Sequence, residues 1–542
     1  MRMTGGDALV RQLRLEGVTT IFGVPGVQLD HATDALARFG EIRYVMTRHE
    51  QGAAYMADGY ARSSGEVGVC MVVPGPGLLN AMAALATAYS CSSPVLCISG
   101  QIPSDMIGRG YGILHEIPGQ SDLLGSVTKW HRLARRPADI PALVHEAFRQ
   151  LRGGRPRPVA LEIPPDVLGA SDDIELVTVP EPDDPRVVPD PALVRRAAGL
   201  LARAERPVIY TGWGVQNANA GEELRAVAEA VPAPVVMSRT GLGSLPDRHP
   251  LAASKLAGRQ LMPDADVVLA VGSRFMGFGG KPLPVAAGAA VIQIDADPAS
   301  MGPPRAPRVA LHGDAKLTLA ALHAALGATG PDRSGRDRDA LAAAVTRARG
   351  WADDQVREVE PQYGFLRAIR SALPDDGILV SELTQVSYLV RVAFPFHLPR
   401  TNITPGYQGT LGYGLPTALG AKVANPGRAV VSLNGDGGFG WCLQELATAR
   451  KYGIGVVSVV FNDSAYGNVR RTQRDQFAER YLGTDLVNPD FVALAGAFGL
   501  AASRVEGPDA LADALRKAIA ADEPTLIEVP VGEMPDAWHL LG

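Results

Sequence analysis

Two acidic residues, each placed just after a predicted strand, constrain this chain more than any other feature. Asp436 lies in the turn Gly435-Asp436-Gly437, after the apolar run 429–433, and Asp463 follows a second apolar run, 456–461. The stretch 439–452 between the runs has apolar and small residues on one side, which predicts a helix. A strand–helix–strand unit is almost always a right-handed parallel crossover, so both carboxylates should emerge at the same edge of a sheet.

This pair of carboxylates suits a divalent cation that carries a phosphate group. Two hard oxygen ligands fit Mg²⁺, which commonly takes its remaining ligands from water and substrate phosphates. The glycines beside Asp436 let backbone N–H groups approach a phosphate at the start of the next helix. Because Gly-Asp-Gly turns are also common in ordinary loops, the prediction depends on Asp463 at the second strand end.

Length and composition limit the classes of protein to consider. The chain has 542 residues, 46% of them hydrophobic and 20% charged, with a net charge of −5. These values predict a globular protein of several domains and give no reason to expect nucleic-acid or membrane-surface binding. No apolar run reaches the roughly 20 residues that span a bilayer, and the first residues lack a signal-peptide core, so we expect a cytoplasmic location. The four cysteines have no metal-like spacing and predict small buried thiols.

Alternating strand-like and helical runs predict an α/β fold with three doubly wound parallel-sheet domains. The predicted domains are residues 1–170, 188–328 and 360–535. The segment 171–190, rich in Pro and Asp, and the polar segment 326–362 are predicted as interdomain linkers, the second partly helical.

Four further segments carry recognisable motifs. They are the approach Val18–Gly26, the segment Arg48–Arg62 that begins Arg-His-Glu, the turn Pro74–Asn80 and the glycine-rich block Gly406–Pro416. Together with the Gly-Asp-Gly turn, they resemble the motifs of thiamin-diphosphate (ThDP) enzymes of the acetolactate synthase and 2-oxo acid decarboxylase family. The resemblance covers nearly the whole chain in the right order. It implies ThDP and Mg²⁺ as cofactors, and pyrimidine-binding, middle and diphosphate-binding domains in that order.

The resemblance also implies roles at the pyrimidine side of the cofactor. Glu50 would be the catalytic carboxyl, bonded to the pyrimidine ring. Gly409 would bond the ring through its carbonyl, and Leu411 would wedge between the two cofactor rings. Outside these motifs, Glu50 would be an ordinary solvated helix residue and Leu411 an ordinary core leucine.

At the diphosphate side, the resemblance implies three metal ligands, namely the carboxylates of Asp436 and Asp463 and the backbone carbonyl of Ala465. Gly437 and Gly438 would offer N–H donors to the diphosphate. Many relatives carry asparagine in place of Asp463 and serine in place of Gly438.

Three residues are substrate-contact candidates, because they occupy segments that line the active site in relatives: Gln28, His115 and Gln120. His115 also fits an ordinary loop histidine. Arg470 and Arg471 could bind a substrate carboxylate, although exposed arginines are usually only solvated.

Two departures separate this chain from acetolactate synthases proper. The run 274–280 reads Arg-Phe-Met-Gly-Phe-Gly-Gly where those enzymes carry Arg-Phe-Asp-Asp-Arg, and Thr472 stands where they carry a tryptophan. Both weaken the prediction of acetolactate synthesis and of bound FAD. Gly212-Trp213-Gly214 is a poor dinucleotide fingerprint and fits a plain strand-to-helix turn, so FAD is doubtful and a purely structural middle domain is our expectation.

The resemblance implies ThDP- and Mg²⁺-dependent decarboxylation, carboligation or both, with a small 2-oxo acid as substrate and a C2-ylide and an enamine as intermediates. An alternative is a ThDP-dependent lyase or acyltransferase acting on a 2-hydroxyacyl or other non-pyruvate donor. A third hypothesis is a non-catalytic binding protein, against which the joint presence of Glu50, Asp436 and Asp463 argues. In the family the cofactor lies between two subunits, so a homodimer or homotetramer is implied.

Overall fold

A computed structural model describes residues 1–179, 184–277, 280–328 and 337–541. It contains three six-stranded parallel sheets, which confirms the predicted α/β fold with three doubly wound domains. Residues 180–183 and 329–336 of the two predicted linkers lie outside the described residues, as do Phe278 and Gly279. The described parts of the linkers include the short strand Ser171–Asp173 and the long helix Arg338–Arg357.

The strands of the described residues are short and mostly buried. In chain order they are β1 (Arg2–Thr4), β2 (Thr20–Gly23), β3 (Arg43–Met46), β4 (Gly68–Val72), β5 (Val95–Gly100), β6 (Trp130–Leu133), β7 (Val159–Ile163), β8 (Ser171–Asp173), β9 (Pro207–Thr211), β10 (Val235–Met237), β11 (Ala252–Ser254), β12 (Val267–Val271), β13 (Ala290–Asp295), β14 (Val309–His312), β15 (Ile378–Ser381), β16 (Asn402–Ile403), β17 (Val430–Gly435), β18 (Val456–Asn462), β19 (Ala501–Arg504) and β20 (Thr525–Pro530).

Helices cover both faces of each sheet, as buried parallel strands require. In chain order they are α1 (Gly5–Leu15), α2 (Asp30–Phe39), α3 (Glu50–Ser64), α4 (Pro76–Cys91), α5 (Gln120–Val127), α6 (Ile140–Arg152), α7 (Pro165–Gly169), α8 (Pro191–Arg203), α9 (Trp213–Asn217), α10 (Gly221–Ala230), α11 (Gly258–Leu261), α12 (Ala315–Ala328), α13 (Arg338–Arg357), α14 (Gln362–Ala372), α15 (Gln385–Ala393), α16 (Gly414–Ala424), α17 (Asp436–Phe439), α18 (Leu446–Tyr452), α19 (Gly467–Gln476), α20 (Phe491–Ala497), α21 (Gly507–Ala521) and α22 (Trp538–Leu541).

The strand orders separate the middle sheet from the other two. The first sheet runs β3-β2-β4-β5-β7-β6 and the third runs β16-β15-β17-β18-β20-β19, which is the same order when strands are counted within each domain. The middle sheet runs β11-β10-β9-β12-β13-β14, the order of dinucleotide-binding folds. In every such sheet, ligands bind outside the carboxyl ends of the strands, where the order reverses.

The predicted helix over 439–452 is wrong. The chain instead forms the short α17, a 3-10 turn at Leu443–Glu445 and the separate helix α18. Gly440, which follows the last residue of α17, favours the break, because glycine is the poorest helix former apart from proline. The interruption leaves Trp441 exposed and Glu445 buried.

Two close helix contacts join the first domain to the third. Helix α3 packs along α16, and a Cβ at Gly59 would lie 2.0 Å from the carbonyl oxygen of Thr417. A Cβ at Gly420 would lie 1.9 Å from the carbonyl oxygen of Met56. Since real Cβ atoms do not approach so closely, only glycine allows these two backbones to touch.

A buried arginine lies where the three domains meet. The Arg62 guanidinium donates to the Thr404 carbonyl and to the Tyr413 hydroxyl, both at 2.7 Å. It lies 3.7 Å from the Asp58 carboxylate and stacks 4.8 Å from the ring of Trp213 in the middle domain. The junction is therefore held by a partnered charge on α3, the helix that begins with Glu50.

All four cysteines are free thiols and buried, as predicted. Among the helices of the described ranges, none combines the length and apolar character needed to cross a membrane.

Candidate functional site

Asp436 and Asp463 lie side by side at the carboxyl edge of the third sheet. Strands β17 and β18 pair in parallel with Gly435 opposite Phe461, and the two carboxyl groups are in hydrogen-bond contact. Burial and the neighbouring Asp436 charge raise the pKa of Asp463 to about 6, and burial raises the pKa of Asp436. Two close carboxylates that resist ionising together are stabilised by a divalent cation between them.

The donor set of this turn fits Mg²⁺. Ser464 has φ 52, an uncommon value for a residue with a side chain, and it turns the chain sharply between Asp463 and Ala465. The Ala465 N–H donates to the Asp463 carboxylate at 3.3 Å. In the described ranges, no cluster of three or more His, Cys, Asp or Glu side chains could hold a metal. That agrees with an ion that takes its remaining ligands from phosphate and water.

Sequence reasoning missed Asn488, which orients Asp436. Its side-chain N–H donates to Asp436 Oδ2 at 2.6 Å and to Asn462 Oδ1 at 2.9 Å. Asn462 in turn donates to Glu528 at 2.8 Å. Asn488 lies in a loop far from Asp436 in sequence, so no local spacing could indicate the contact.

The loop at 409–412 has the backbone shape expected of a ligand cradle. Gly409 and Gly412 have φ values of 61 and 77, conformations that residues with side chains rarely adopt. Leu411 between them is half-buried, which differs from an ordinary core leucine. The hydroxyl of Thr410 accepts a 2.6 Å hydrogen bond from Tyr55 on α3 and lies 3.0 Å from the Thr87 hydroxyl. The first domain of the same chain therefore supports this loop.

Glu50 is the first residue of α3, at the carboxyl edge of the first sheet. It is half-buried, and its Oε2 accepts a 3.0 Å hydrogen bond from Asn80. The turn at 74–77 packs beside it, because a Cβ at Gly77 would lie 3.3 Å from Glu50 Oε1.

The three substrate-contact candidates lie around the turn at 74–77, but their side chains are not equally free to contact a substrate. Gln28 Oε1 lies 3.1 Å from His115 Nδ1. His115 lies in a loop and has a φ of 68, in the left-handed region. Gln120 is buried, accepts from the Gly75 N–H at 3.0 Å and donates to the Gly100 carbonyl at 3.0 Å. Its amide is thus used within the protein, which favours support of the turn over direct substrate contact.

Buried Glu162 is a second residue that sequence reasoning missed. Its carboxylate accepts from the amides of Gln101 and Gln120, each at 2.9 Å, and from the Ser121 hydroxyl. A glutamate inside the otherwise apolar strand β7 is the sequence signal that could have indicated it.

Comparison with known proteins identifies the family to which both parts of this site belong. We call the surroundings of Glu50 and the surroundings of Asp436 the two half-sites. Residues 3–123, 194–322 and 383–529 match the N-terminal TPP binding domain, the central domain and the C-terminal TPP binding domain of thiamine pyrophosphate enzymes. The chain belongs to the thiamine pyrophosphate (ThDP) enzyme family. It is therefore a ThDP-dependent enzyme, and the recognition made from the motifs is confirmed.

Relatives of this ThDP enzyme align over almost its whole length. It is 35% identical to a probable acetolactate synthase large subunit of Methanocaldococcus jannaschii, over 98% of this chain and 92% of that protein. It is 38% identical to a probable 2-ketoarginine decarboxylase of Pseudomonas aeruginosa, over 97% and 94%. It is 32% identical to the acetolactate synthase isozyme 1 large subunit of Escherichia coli, over 98% and 94%.

Among the described residues, no hydrogen bond or ion pair links Glu50 to the segments 406–416 and 435–438. Large apolar side chains are exposed next to each half in sequence. They are Val27, Leu79 and Leu114 on the first domain and Trp441, Leu482 and Val487 on the third.

A cavity of about 840 Å³ extends from the carboxyl edge of the middle sheet to Gly409. Its lining includes Arg239, Arg274 and Arg391, and among the described residues none of these guanidiniums has a carboxylate partner. Burial lowers the pKa of Arg239 and brings that of Arg391 to about 10. The Gly212-Trp213-Gly214 turn lines the same space, so the cavity lies at the crevice that this strand order creates.

Arg470 and Arg471, which follow the turn at 463–465, both have partners within the protein. Arg470 forms an ion pair with Asp485. Arg471 is buried, donates to Asn468 at 2.6 Å and lies 3.6 Å from Asp536. Thr472 donates to the Asn468 carbonyl at 3.1 Å.

Proposed function

We propose that this ThDP enzyme is Mg²⁺-dependent and decarboxylates a small 2-oxo acid, passing the remaining fragment to a proton or to a second carbonyl compound. The observation that supports this best is the contact between the Asp436 and Asp463 carboxyls, a ready position for a divalent cation. The relatives named above are acetolactate synthases and a 2-ketoarginine decarboxylase. Decarboxylation and carboligation are both represented among them.

Each residue group would have a defined task. When bound, ThDP would supply a carbon nucleophile and an electron sink for the departing CO₂. Asp436, Asp463 and the Ala465 carbonyl would hold Mg²⁺, while the N–H groups of Gly437 and Gly438 would bind the diphosphate.

On the pyrimidine side, the Gly409 carbonyl and Leu411 would fix the orientation of the ring. Glu50 would hold a proton at a pyrimidine nitrogen. Gln28 and His115 remain our candidates for substrate contact, and Gln120 supports the turn beneath them.

The active unit in this proposal is a homodimer, alone or within a homotetramer. Glu50 of one subunit would face the metal turn of the other, which would cover the exposed apolar residues of both half-sites. Mixing inactive Glu50→Gln and Asp436→Ala chains under subunit exchange tests this directly. Random pairing gives heterodimers with one intact site, so we expect recovery of about a quarter of wild-type activity. No recovery in confirmed heterodimers would contradict a shared site.

Substrate class is tested with the wild-type enzyme, ThDP, Mg²⁺ and a panel of 2-oxo acids that includes pyruvate. We expect CO₂ release, and product analysis then separates aldehydes from ketols. Turnover of ketols or 2-hydroxyacyl donors without CO₂ release would instead support the alternative, a lyase or acyltransferase. Thr472 in place of a large aromatic residue leaves more room on the acceptor side, so we expect acceptance of acids larger than pyruvate.

FAD is not part of the proposed function. The run at 274–277 lacks the acidic residues that the resemblance to acetolactate synthases would require. A flavin absorbance band in the purified enzyme, or flavin released on denaturation, would contradict this.

A further inference from the structure

One buried carboxyl group touches both segments that would anchor the cofactor. Glu382 follows β15 directly and is 2% exposed. Its Oε1 accepts a 2.9 Å hydrogen bond from the Gly412 N–H, one residue beyond Leu411. The same oxygen would lie only 2.1 Å from a Cβ at Gly438. Glu382 is therefore wedged between the 409–412 loop and the 436–438 turn.

The second oxygen of this carboxyl group lacks a hydrogen-bond partner. Glu382 Oε2 and Asn434 Oδ1 are both buried and unpartnered. They lie on the same side of Gly414, since a Cβ there would be 3.2 Å from Glu382 Oε2 and 2.0 Å from Asn434 Oδ1. The Asn434 amide cannot turn over, because its N–H groups already donate to Ser432 Oγ at 2.8 Å and the Val459 carbonyl at 3.1 Å.

Two buried acceptors that face one space without a donor are costly. A proton on Glu382 Oε2 would supply the missing donor. Among the described residues, no cation contacts the Glu382 carboxyl. Burial outweighs the backbone N–H groups of Gly412, Gly414 and Tyr413, which lower its pKa. Burial accordingly raises the pKa of Glu382 to about 7.

We propose that Glu382 is a positioning residue for ThDP that acts as a neutral carboxylic acid, fixing the distance between the pyrimidine loop at 409–412 and the diphosphate turn at 436–438. The inference rests on the proposed function, because it takes the diphosphate to lie at Gly437 and Gly438. An ionised Glu382 packed against Gly438 would repel a diphosphate. Binding of the cofactor should therefore require Glu382 to be protonated. Above pH 7, where the carboxyl of the free protein is mostly ionised, binding should take up one proton.

Three other titrating groups are coupled to Glu382 directly or through one neighbour. Tyr55 and Cys442 face it, and burial keeps both neutral by raising the pKa of Tyr55 to about 12 and that of Cys442 well above its usual value. Glu445, like Glu382, interacts with Cys442, and burial raises its pKa to about 7. Because it titrates in the same range, a variant of Glu445 serves as a control.

The test is calorimetric titration of ThDP at saturating Mg²⁺ between pH 7 and 9, in two buffers that differ in ionisation enthalpy. Wild-type affinity should fall about tenfold per pH unit above 7, with close to one proton taken up per site at pH 8.5. Glu382→Gln keeps the shape and a donor without a charge. Its affinity should change less than about twofold over the range, with no proton uptake.

Two further variants complete the test. Glu382→Leu removes the acceptor for Gly412 and should bind ThDP at least about tenfold more weakly at every pH, while Glu445→Gln should keep the wild-type pH dependence. A pH-independent wild type, a Glu382→Gln variant that keeps the fall, or a Glu445→Gln variant that loses it would overturn the inference. If Glu382→Leu does not fold, Glu382→Gln decides alone. A wild type that binds no ThDP at any pH would refute the proposed function and the inference together.

Discussion

The first and third domains share one strand order but prepare their halves of the site very differently. In the third domain, the Asp436 carboxyl contacts Asp463 and is fixed by Asn488, and the loop at 409–412 is held by Tyr55 and Glu382. In the first domain, Glu50 is half-buried with a single hydrogen bond, from Asn80. The same topology therefore gives one region rich in buried hydrogen bonds and one that is more open, and our proposal is that a partner subunit completes the second.

The difference shows how one sheet order can serve two tasks. A metal and a diphosphate would need rigid ligands at fixed distances, and the buried hydrogen bonds around Asp436 suit the role that we propose for it. A residue that exchanges a proton with a cofactor must face that cofactor, and half-buried Glu50 is open enough for the role that we propose for it. The following predictions test this contrast, from the largest expected effect to the smallest.

Of these variants, Asp436→Ala should have the largest effect on ThDP binding. Loss of one carboxylate ligand should weaken ThDP retention in Mg²⁺ by at least about a hundredfold. Tryptophan fluorescence quenching during ThDP titration measures it. Asp513→Ala is the matched control, because Asp513 is exposed on α21 and pairs only with Arg516. If Asp436→Ala bound ThDP with wild-type affinity, the assignment of Asp436 as a metal ligand would be wrong.

Glu50→Gln should leave ThDP bound and slow turnover by about 10²–10⁴-fold, the usual range for loss of a general acid or base. Hydrogen–deuterium exchange at the thiazolium carbon reports the step affected. Glu66→Gln, at an exposed position just beyond the same helix, should behave like the wild type. Unchanged exchange in Glu50→Gln would exclude the assigned role.

Glu445→Gln should stabilise the protein in a pH-dependent way. Burial raises the pKa of Glu445 from an ordinary 4.5 to about 7, so the folded chain keeps a proton that the unfolded chain loses. Stability therefore falls as the pH rises from 4.5 to 7 and is level above it. The variant should be about 1–3 kcal/mol more stable at pH 8, after allowing for a weakened hydrogen bond to Arg48.

The measurement for Glu445→Gln is the shift in Tm relative to the wild type at pH 5 and at pH 8. We expect a positive shift at pH 8 and little or a negative shift at pH 5. An equal shift at both pH values would show that titration of Glu445 does not affect stability.

Tyr55→Phe should have the smallest effect. It removes the hydroxyl that bonds Thr410, costing about 1 kcal/mol and weakening ThDP binding a few-fold. Tyr44→Phe is the matched control, since the buried Tyr44 hydroxyl has no hydrogen-bond partner to lose. Equal Tm and ThDP affinity in the two variants would show that the loop at 409–412 does not need this support.

The sequence predicted correctly that Asp436 and Asp463 emerge side by side at one edge of a sheet, while their role as metal ligands stays a prediction. Strand ends and glycine turns are local patterns, and the crossover rule places Asp436 beside Asp463 without coordinates. The same reasoning failed for the helix over 439–452, where the chain breaks after Gly440 despite the apolar pattern. It also missed Asn488 and Glu382, whose roles depend on contacts with residues distant in sequence.

By itself, the sequence determined the α/β class, the three parallel sheets, the family and the strand ends that carry the two aspartates, because hydrophobic period and turn chemistry act over a few residues. Only the tertiary structure showed that the middle sheet differs in order from its neighbours, that Gln120 is hydrogen-bonded within the protein and that Glu382 contacts both the loop at 409–412 and Gly438. Those facts depend on which distant backbones pack together and on which buried polar atoms are left without partners, and neither is encoded in any local stretch of the chain.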